Sequence, residues 1–281
     1  MPTFYIVGSG RCGTTLLRRC LSQIQGIYIP PENHILGPSV KRRIVHREED
    51  WASFAAWFEK ALLNFPDFKY FNIDLDMLLL RLKHLPRNMQ NARGAMSVVY
   101  DLHLRSQVTM IKYLGDKTPM NVFYLDDILS TVPEAKFINL IRDGVDVVES
   151  FLRIGRYITV DSAARRWKLA IEAAESFAEK NNKNIITIKY EDLVIHPRKI
   201  LKSICHFLAI DYSERMMHCL TLPKSLATEM TQKHHENATL RLTSTNIGLG
   251  KSELSSEDLK KIRELVGDTL QRLGYQLPQI K

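Results

Sequence analysis

Gly8, Ser9, Gly10, Arg11, Cys12, Gly13, Thr14 and Thr15 put three glycines, three hydroxyls and an arginine into eight residues, between an apolar run and an amphipathic one. Glycines let the backbone turn so that successive N–H groups point at one spot. A helix starting there adds the positive end of its dipole, and the result is a cradle for a phosphate-like anion. The kinase-type pattern Gly-x-x-x-x-Gly-Lys-[Ser/Thr] is kept at Gly8, Gly13 and Thr15, but Thr14 stands where the lysine belongs. That lysine reaches the β- and γ-phosphates of a nucleoside triphosphate, so its absence argues against ATP or GTP hydrolysis and leaves the cradle intact. A glycine-rich turn without a ligand would need neither the hydroxyls nor Arg11.

Further side chains of this character fall at the carboxyl ends of apolar runs. Ile111 to Leu114 ends in Gly115-Asp-Lys-Thr-Pro119, and Lys136 to Ile141 ends in Arg142. In open α/β sheets ligands bind outside the carboxyl ends of the strands, so Asp116, Lys117 and Arg142 lie beside the cradle if their strands neighbour the first. Ser150 follows Arg142 by eight residues, about two helical turns, so the two share a ligand only if it lies along that helix. Read locally, Arg142 pairs with Asp143 or Asp146 and Ser150 is a surface hydroxyl. Glu32 and His34 follow two prolines on a loop after the first helix, where they could fold back over a ligand or simply face solvent. Gly248, Gly250 and Lys251 could close over a phosphate, whereas the adjacent His234 and His235 cannot face one ion from a helix.

These residues need a frame. Phe4 to Val7 suits a buried parallel strand, and Leu16, Leu17, Cys20, Leu21 and Ile24 recur at helical spacing. Strand-like runs return at 111–114, 136–141 and 184–189, with helical patterns between them. The alternation predicts one α/β domain over 1–281, a parallel β-sheet flanked by helices like that of the P-loop NTPases. From about 40 to 107 the pattern is helical, with Trp51, Phe54, Phe58 and Leu62 on one face and Leu75, Leu78, Leu79 and Leu82 on another. It reads as a helical insertion after the first βα unit, placed where an acceptor wall would be built. The polar stretch from about 220 to 254 has the length of a lid.

Thirty-nine basic against 31 acidic side chains give a formal charge of +8, which suits a polyanionic ligand. No basic stripe is interleaved with aromatics, so nucleic acid is not an expected partner. Cys12, Cys20, Cys205 and Cys219 form no C-x-x-C pair and share no spacing with histidines, which predicts reduced thiols and no metal site. A strand begins almost at the first residue, with no basic and apolar leader before it, and no run reaches the length of a membrane span. The expectation is a soluble, cytoplasmic chain, unless it is an excised part of a longer protein.

Taken together, Gly-x-x-Arg-Cys-Gly-Thr-Thr at 8–15, Gly-Asp-Lys-Thr-Pro at 115–119, Arg-Asp-Gly-x-Asp-Val-x-x-Ser at 142–150 and Tyr-Glu-Asp-Leu-x-x-x-Pro at 190–197 resemble the sulfotransferases. These enzymes take a sulfuryl group from 3′-phosphoadenosine 5′-phosphosulfate (PAPS). The cradle and the Tyr-Glu-Asp-Leu stretch look closer to the tyrosylprotein and bacterial-type branches than to the cytosolic phenol and steroid enzymes. The resemblance implies that Arg11, Cys12, Gly13, Thr14 and Thr15 hold the 5′-phosphosulfate, that Arg142 and Ser150 hold the 3′-phosphate, that Tyr190 contacts the nucleotide, and that Gly250 and Lys251 close over it. It implies Glu32 as general base, with His34 and Asp116 as further candidates, and Arg11 and Lys117 as the cations on the transferring group. The acceptor it implies is a hydroxyl on a carbohydrate, small molecule, lipid or peptide tyrosine. A P-loop-type small-molecule kinase and a catalytically silent nucleotide-binding protein would share the cradle.

Overall fold

The computed structural model describes residues 1–105, 110–220 and 246–279. In chain order the elements are β1 (Phe4–Gly8), α1 (Thr14–Leu21), β2 (Ile27–Tyr28), α2 (Leu36–Val45), α3 (Trp51–Leu63), α4 (Leu75–Lys83), α5 (Ala92–Leu104), β3 (Tyr113–Lys117), α6 (Leu125–Thr131), β4 (Lys136–Ile141), α7 (Gly144–Arg153), α8 (Val160–Asn181), β5 (Ile185–Lys189), α9 (Tyr190–Ile195), α10 (Pro197–Leu208), α11 (Leu249–Glu253) and α12 (Ser256–Arg272). Capping residues fix several of the starts. Asp50, Asp74, Asn91 and Ser255 accept from the backbone N–H groups of Ser53, Met77, Gly94 and Asp258 at 2.9–3.1 Å, ahead of α3, α4, α5 and α12.

The strands are parallel and stand in the order β2-β3-β1-β4-β5. Central β1 pairs Tyr5 with Asp116 and Ile6 with Lys117 on one side, and Gly8 with Leu140 on the other. The carboxyl ends of β3 and β4 therefore flank the cradle, at the point where the chain switches from one side of β1 to the other. Strand alternation sends Tyr5, Val7 and Phe137 into a core with Phe54, Phe58, Met96 and Val99 of the helical insertion. The opposite face sends Phe4, Ile6, Ile138 and Leu140 against Leu17 and Leu21 of α1 and Leu201 and Ile204 of α10. A third cluster around the fully buried Trp167 joins α7, α8 and α12.

Two elements differ from the sequence reading. Ile27 and Tyr28 form a short edge strand before Pro30 and Pro31, because pairing with Tyr113 and Leu114 supplies the partner that local sequence cannot show. The strand expected at 111–114 runs instead over Tyr113–Lys117, so Asp116 and Lys117 belong to it rather than follow it. Of the stretch read as a lid, residues 221–245, with His234 and His235, lie outside the described residues. No described helix is long and apolar enough to cross a membrane.

The expectation of four reduced thiols is corrected: Cys20 of α1 and Cys219 form a disulfide, while Cys12 and Cys205 are free and buried. A separation of 199 residues hides this pairing in the sequence, whereas the fold brings the two Cα atoms to 5.1 Å. Closing a loop of that size is worth about 5 kcal/mol in the chain-entropy account. Replacing Cys20 with serine should lower the melting temperature by roughly 5–15 °C in calorimetry. Thiol titration of the denatured wild type should find two reactive groups, and four would refute the bond.

Candidate active site

The cradle is shaped by its backbone. Gly13 precedes α1 in the left-handed region at φ 93°, and no side chain caps the helix, so its first N–H groups are left for a ligand. A Cβ at Gly13 would sit 2.4 Å from Cδ2 of Tyr190, so glycine is required there for packing as well as for conformation. Arg11 also has positive φ, at 57°, an uncommon conformation for a residue with a side chain. The turn thereby sends the Arg11 side chain across to α7, where Nε donates to Oγ of Ser150 at 3.0 Å.

Arg142 completes this end of the site. Its Nη1 donates to the Arg11 carbonyl at 3.3 Å, and its guanidinium lies 4.9 Å above the Tyr190 ring. Asp146 stands one turn along α7, 3.3 Å from Arg142 Nη2, and is fully buried. It accepts from the backbone N–H groups of Gly248 and Gly250, each at 2.9 Å, and so ties the returning chain to the arginine. Asn246 accepts a further bond from Arg142 through its carbonyl. A Cβ at Gly250 would lie 2.5 Å from the Val145 carbonyl, which makes that glycine a close-packing requirement. Lys251, on α11, pairs with Asp143 at 3.4 Å. Burial, then the neighbouring Arg153 and Arg142, depress the Arg11 pKa, the mark of cations gathered around a place for an anion. Arg142 Nε is buried without a hydrogen-bond partner among the described residues. A multiply charged anion fits this group of arginines, hydroxyl and helix terminus.

The second half of the site lies on the other side of the cradle. Lys117 projects from the end of β3, is 1% exposed, and bonds Oε1 of Glu32 and Oγ1 of Thr15, the latter at 3.4 Å. His34 Nε2 donates to the other Glu32 oxygen at 3.0 Å. Burial alone would push the Glu32 carboxyl up, but Lys117 and His34 together outweigh it and hold the group well below the usual carboxylate range. Asp116 points to the opposite face of the strand and is fully buried. Burial raises its carboxyl to about 6, against hydrogen bonds from Tyr100, Thr118 and Asn121.

A sequence-family profile described as "Sulfotransferase family" matches residues 2–214. The chain belongs to the sulfotransferase family. Its relatives include protein-tyrosine sulfotransferase 1 of Danio rerio, 24% identical over 288 residues that cover 98% of this chain and 72% of the relative. Protein-tyrosine sulfotransferase 2 of Gallus gallus is 25% identical over 78% of this chain, which spans only 54% of that protein. Among solved structures, the sulfotransferase domain of the Synechococcus PCC 7002 olefin synthase aligns with a TM-score of 0.61 and 20% identity, over 99% of this chain and 96% of that one. A mouse sulfotransferase complexed with PAP aligns at 0.53 and 15%, over 95% of this chain and 84% of that one. These two likenesses are of fold.

In this sulfotransferase, the residues singled out in the sequence separate into two linked groups. Arg11, Ser150, Arg142, Tyr190, Gly250 and Lys251 gather along α7, and Glu32, His34 and Lys117 meet beside Thr15. The Cys12 side chain is fully buried, which leaves its backbone as the part that can face a ligand. Asp116 faces the helical insertion rather than the cradle. Sequence reasoning missed the clamp made by Asp146 and the part played by Asn33, Tyr100 and Thr118. The spacing Arg-x-x-x-Asp at 142–146 signalled only a local ion pair, because the glycine N–H groups that Asp146 binds lie about a hundred residues on.

Proposed function

We propose that this chain moves the sulfuryl group of PAPS to an acceptor hydroxyl by in-line displacement, with Glu32 as general base. The observation that carries the reading is the contact of Glu32 with Lys117 next to Thr15, a carboxylate and a cation set at the edge of an anion cradle. Arg11 and the N–H groups and hydroxyls of residues 12–15 would hold the 5′-phosphosulfate. Arg142, Ser150, Gly250 and Lys251 would hold the 3′-phosphate, with Tyr190 against the nucleotide. The donor supplies an activated sulfuryl group and a bisphosphate leaving group. Glu32 accepts the proton of the attacking hydroxyl as the new S–O bond forms, and Arg11 and Lys117 place positive charge beside the sulfuryl and the departing oxygen. Thr14 in place of a P-loop lysine accords with a donor that has no γ-phosphate.

Names of the relatives support a tyrosine hydroxyl as acceptor. Trp51 and Trp57 of the helical insertion, half-buried where Phe54 and Phe58 lie in the core, accord with a partly apolar one. The disulfide favours an oxidising compartment over the cytoplasmic location expected from the sequence.

The test is transfer of label from PAPS to a panel of tyrosine peptides, phenols, sugars and lipids, together with thermal stabilisation by PAP. Transfer to at least one acceptor is expected, and PAP at 100 Kd should add about 2.7 kcal/mol of stability. Stabilisation without transfer to any acceptor would point to a silent nucleotide-binding protein. No stabilisation at all would sink the reading.

A further inference from the structure

Lys117 is flanked on both sides by residues whose side chains turn to the other face of the sheet. Asp116 Oδ2 accepts from Tyr100 of α5 at 3.1 Å, and its Oδ1 accepts from Asn121 Nδ2 at 3.0 Å. Thr118 Oγ1 accepts from the backbone N–H of Asn33 at 2.8 Å, and the Asn33 side chain donates to the Tyr100 hydroxyl at 3.2 Å. Asn33 Oδ1 also accepts from the N–H groups of Ile35 and Leu36, which ties the same residue to the start of α2. Asn33, Tyr100, Asp116 and Thr118 are all buried, at 2% exposure or less. Asn33 is the residue next to Glu32, so both neighbours of the cation are bonded, directly or through one hydroxyl, to the neighbour of the carboxylate.

We infer that Tyr100 and Asn33, acting through Asp116 and Thr118, are positioning residues that set the separation of Glu32 from Lys117. The inference rests on the proposed function for its kinetic meaning, not for its geometry. It assigns a second task to the helical insertion: besides offering a wall to the acceptor, α5 reaches β3 through Tyr100 and holds the loop that carries the base. Only a chain of fully satisfied buried groups fixes such a distance well, because a half-satisfied network costs more than an apolar core. Asp116 has all three of its donors in protein groups and so serves as the fixed end of the chain.

Two variants test this by different chemistry. Tyr100→Phe removes the shared hydroxyl. Asn33→Ser keeps a short oxygen for the N–H groups at the start of α2, loses the amide that reaches Tyr100, and adds no charge beside Glu32. The charged groups facing Glu32 are Lys117 and His34, with Asp116 behind them. If the separation grows, the hold of Lys117 weakens, and the Glu32 carboxyl, followed by carbon-13 NMR against a Glu32→Gln reference, should titrate at higher pH in both variants. Turnover should fall about 10- to 100-fold with PAP affinity within twofold of wild type, as expected for a misplacement near 1 Å. A folded variant of either kind whose Glu32 titration is that of wild type overturns the inference, as does a loss of turnover that tracks PAP affinity. The titration needs no acceptor. An absence of transfer in the wild type would therefore count against the sulfotransferase reading and leave the positioning claim to be decided by NMR.

Discussion

Glu32→Gln should lower turnover by about 10²–10⁴, the usual contribution of a positioned general base, with PAP affinity unchanged. Glutamine fills the same volume and its one carbonyl oxygen can keep the bond from Lys117 at the expense of that from His34, so the change removes the basic oxygen with little loss of packing. Three carboxyl or imidazole groups compete for the role, and their surroundings separate them. Asp116 is fully buried and its oxygens are occupied by Tyr100, Thr118 and Asn121, so an acceptor hydroxyl could reach it only by breaking that set. His34 lies on the far side of Glu32 from Lys117 and touches the carboxylate rather than the cradle. Glu32 alone contacts the cation that itself contacts the cradle hydroxyl. Steady-state rates under saturating PAPS decide the matter. A Glu32→Gln enzyme that keeps most of its turnover would pass the role to His34, and His34→Ala would then carry the large loss.

Much of this site was legible because its parts are local in sequence. The cradle from Gly8 to Thr15 announces itself through glycine and hydroxyl content, and the end of β4 before Arg142 follows from an apolar run that stops at a charge, whereas β3 runs three residues beyond the end expected at Leu114. The expected strand at Lys136–Ile141 coincides with β4, since Phe137, Ile138, Leu140 and Ile141 form an apolar run that stops at Arg142. The rest depends on contacts between distant segments. Nothing near Cys20 or Cys219 signals their bond, and β2 exists only because β3 lies beside it. Asp116 shows the limit most plainly. It is adjacent in sequence to Lys117 and was a candidate for the same chemistry, yet strand alternation turns it to the opposite face and into a structural network. Tyr100 could not have been singled out at all, because a buried tyrosine at helical spacing reads as core until its hydroxyl is seen to bridge Asn33 and Asp116.

The two halves of the site are joined by short links rather than by one cluster. Arg142 binds the carbonyl of Arg11, Arg11 binds Ser150, and two residues beyond Gly13 the Thr15 hydroxyl meets Lys117. Between these two sets of bonds the cradle backbone from Arg11 to Thr15 is the connection. Gly13 lies between the two sets of bonds in sequence and packs against the ring of Tyr190, which Arg142 also contacts.

Replacing Lys117 with methionine should cost about 10²–10³ in turnover, the loss typical of removing one preorganised electrostatic contact to a transition state. The side chain is 1% exposed, so the similar volume of methionine keeps the packing while the charge is lost. A second consequence is specific to the pair. In the wild type Glu32 is held well below the usual carboxylate range, so its carboxyl is already ionised across that range. The acid side of the kcat/KM profile, which reports the free enzyme, should accordingly be flat with respect to this group. Burial is the strongest single influence on Glu32 and acts upward, and Lys117 is the strongest one opposing it. Without Lys117 the carboxyl must rise, so an acid limb should enter the profile and activity should fall as pH is lowered through it. The double variant Lys117→Met with Glu32→Gln supplies the last check. If the pair works as one unit, the two losses will not multiply, and the double variant will be little slower than the slower single one. Multiplying losses, with an acid side of the Lys117→Met profile as flat as that of the wild type, would mean that the contact between Glu32 and Lys117 is incidental to the reaction.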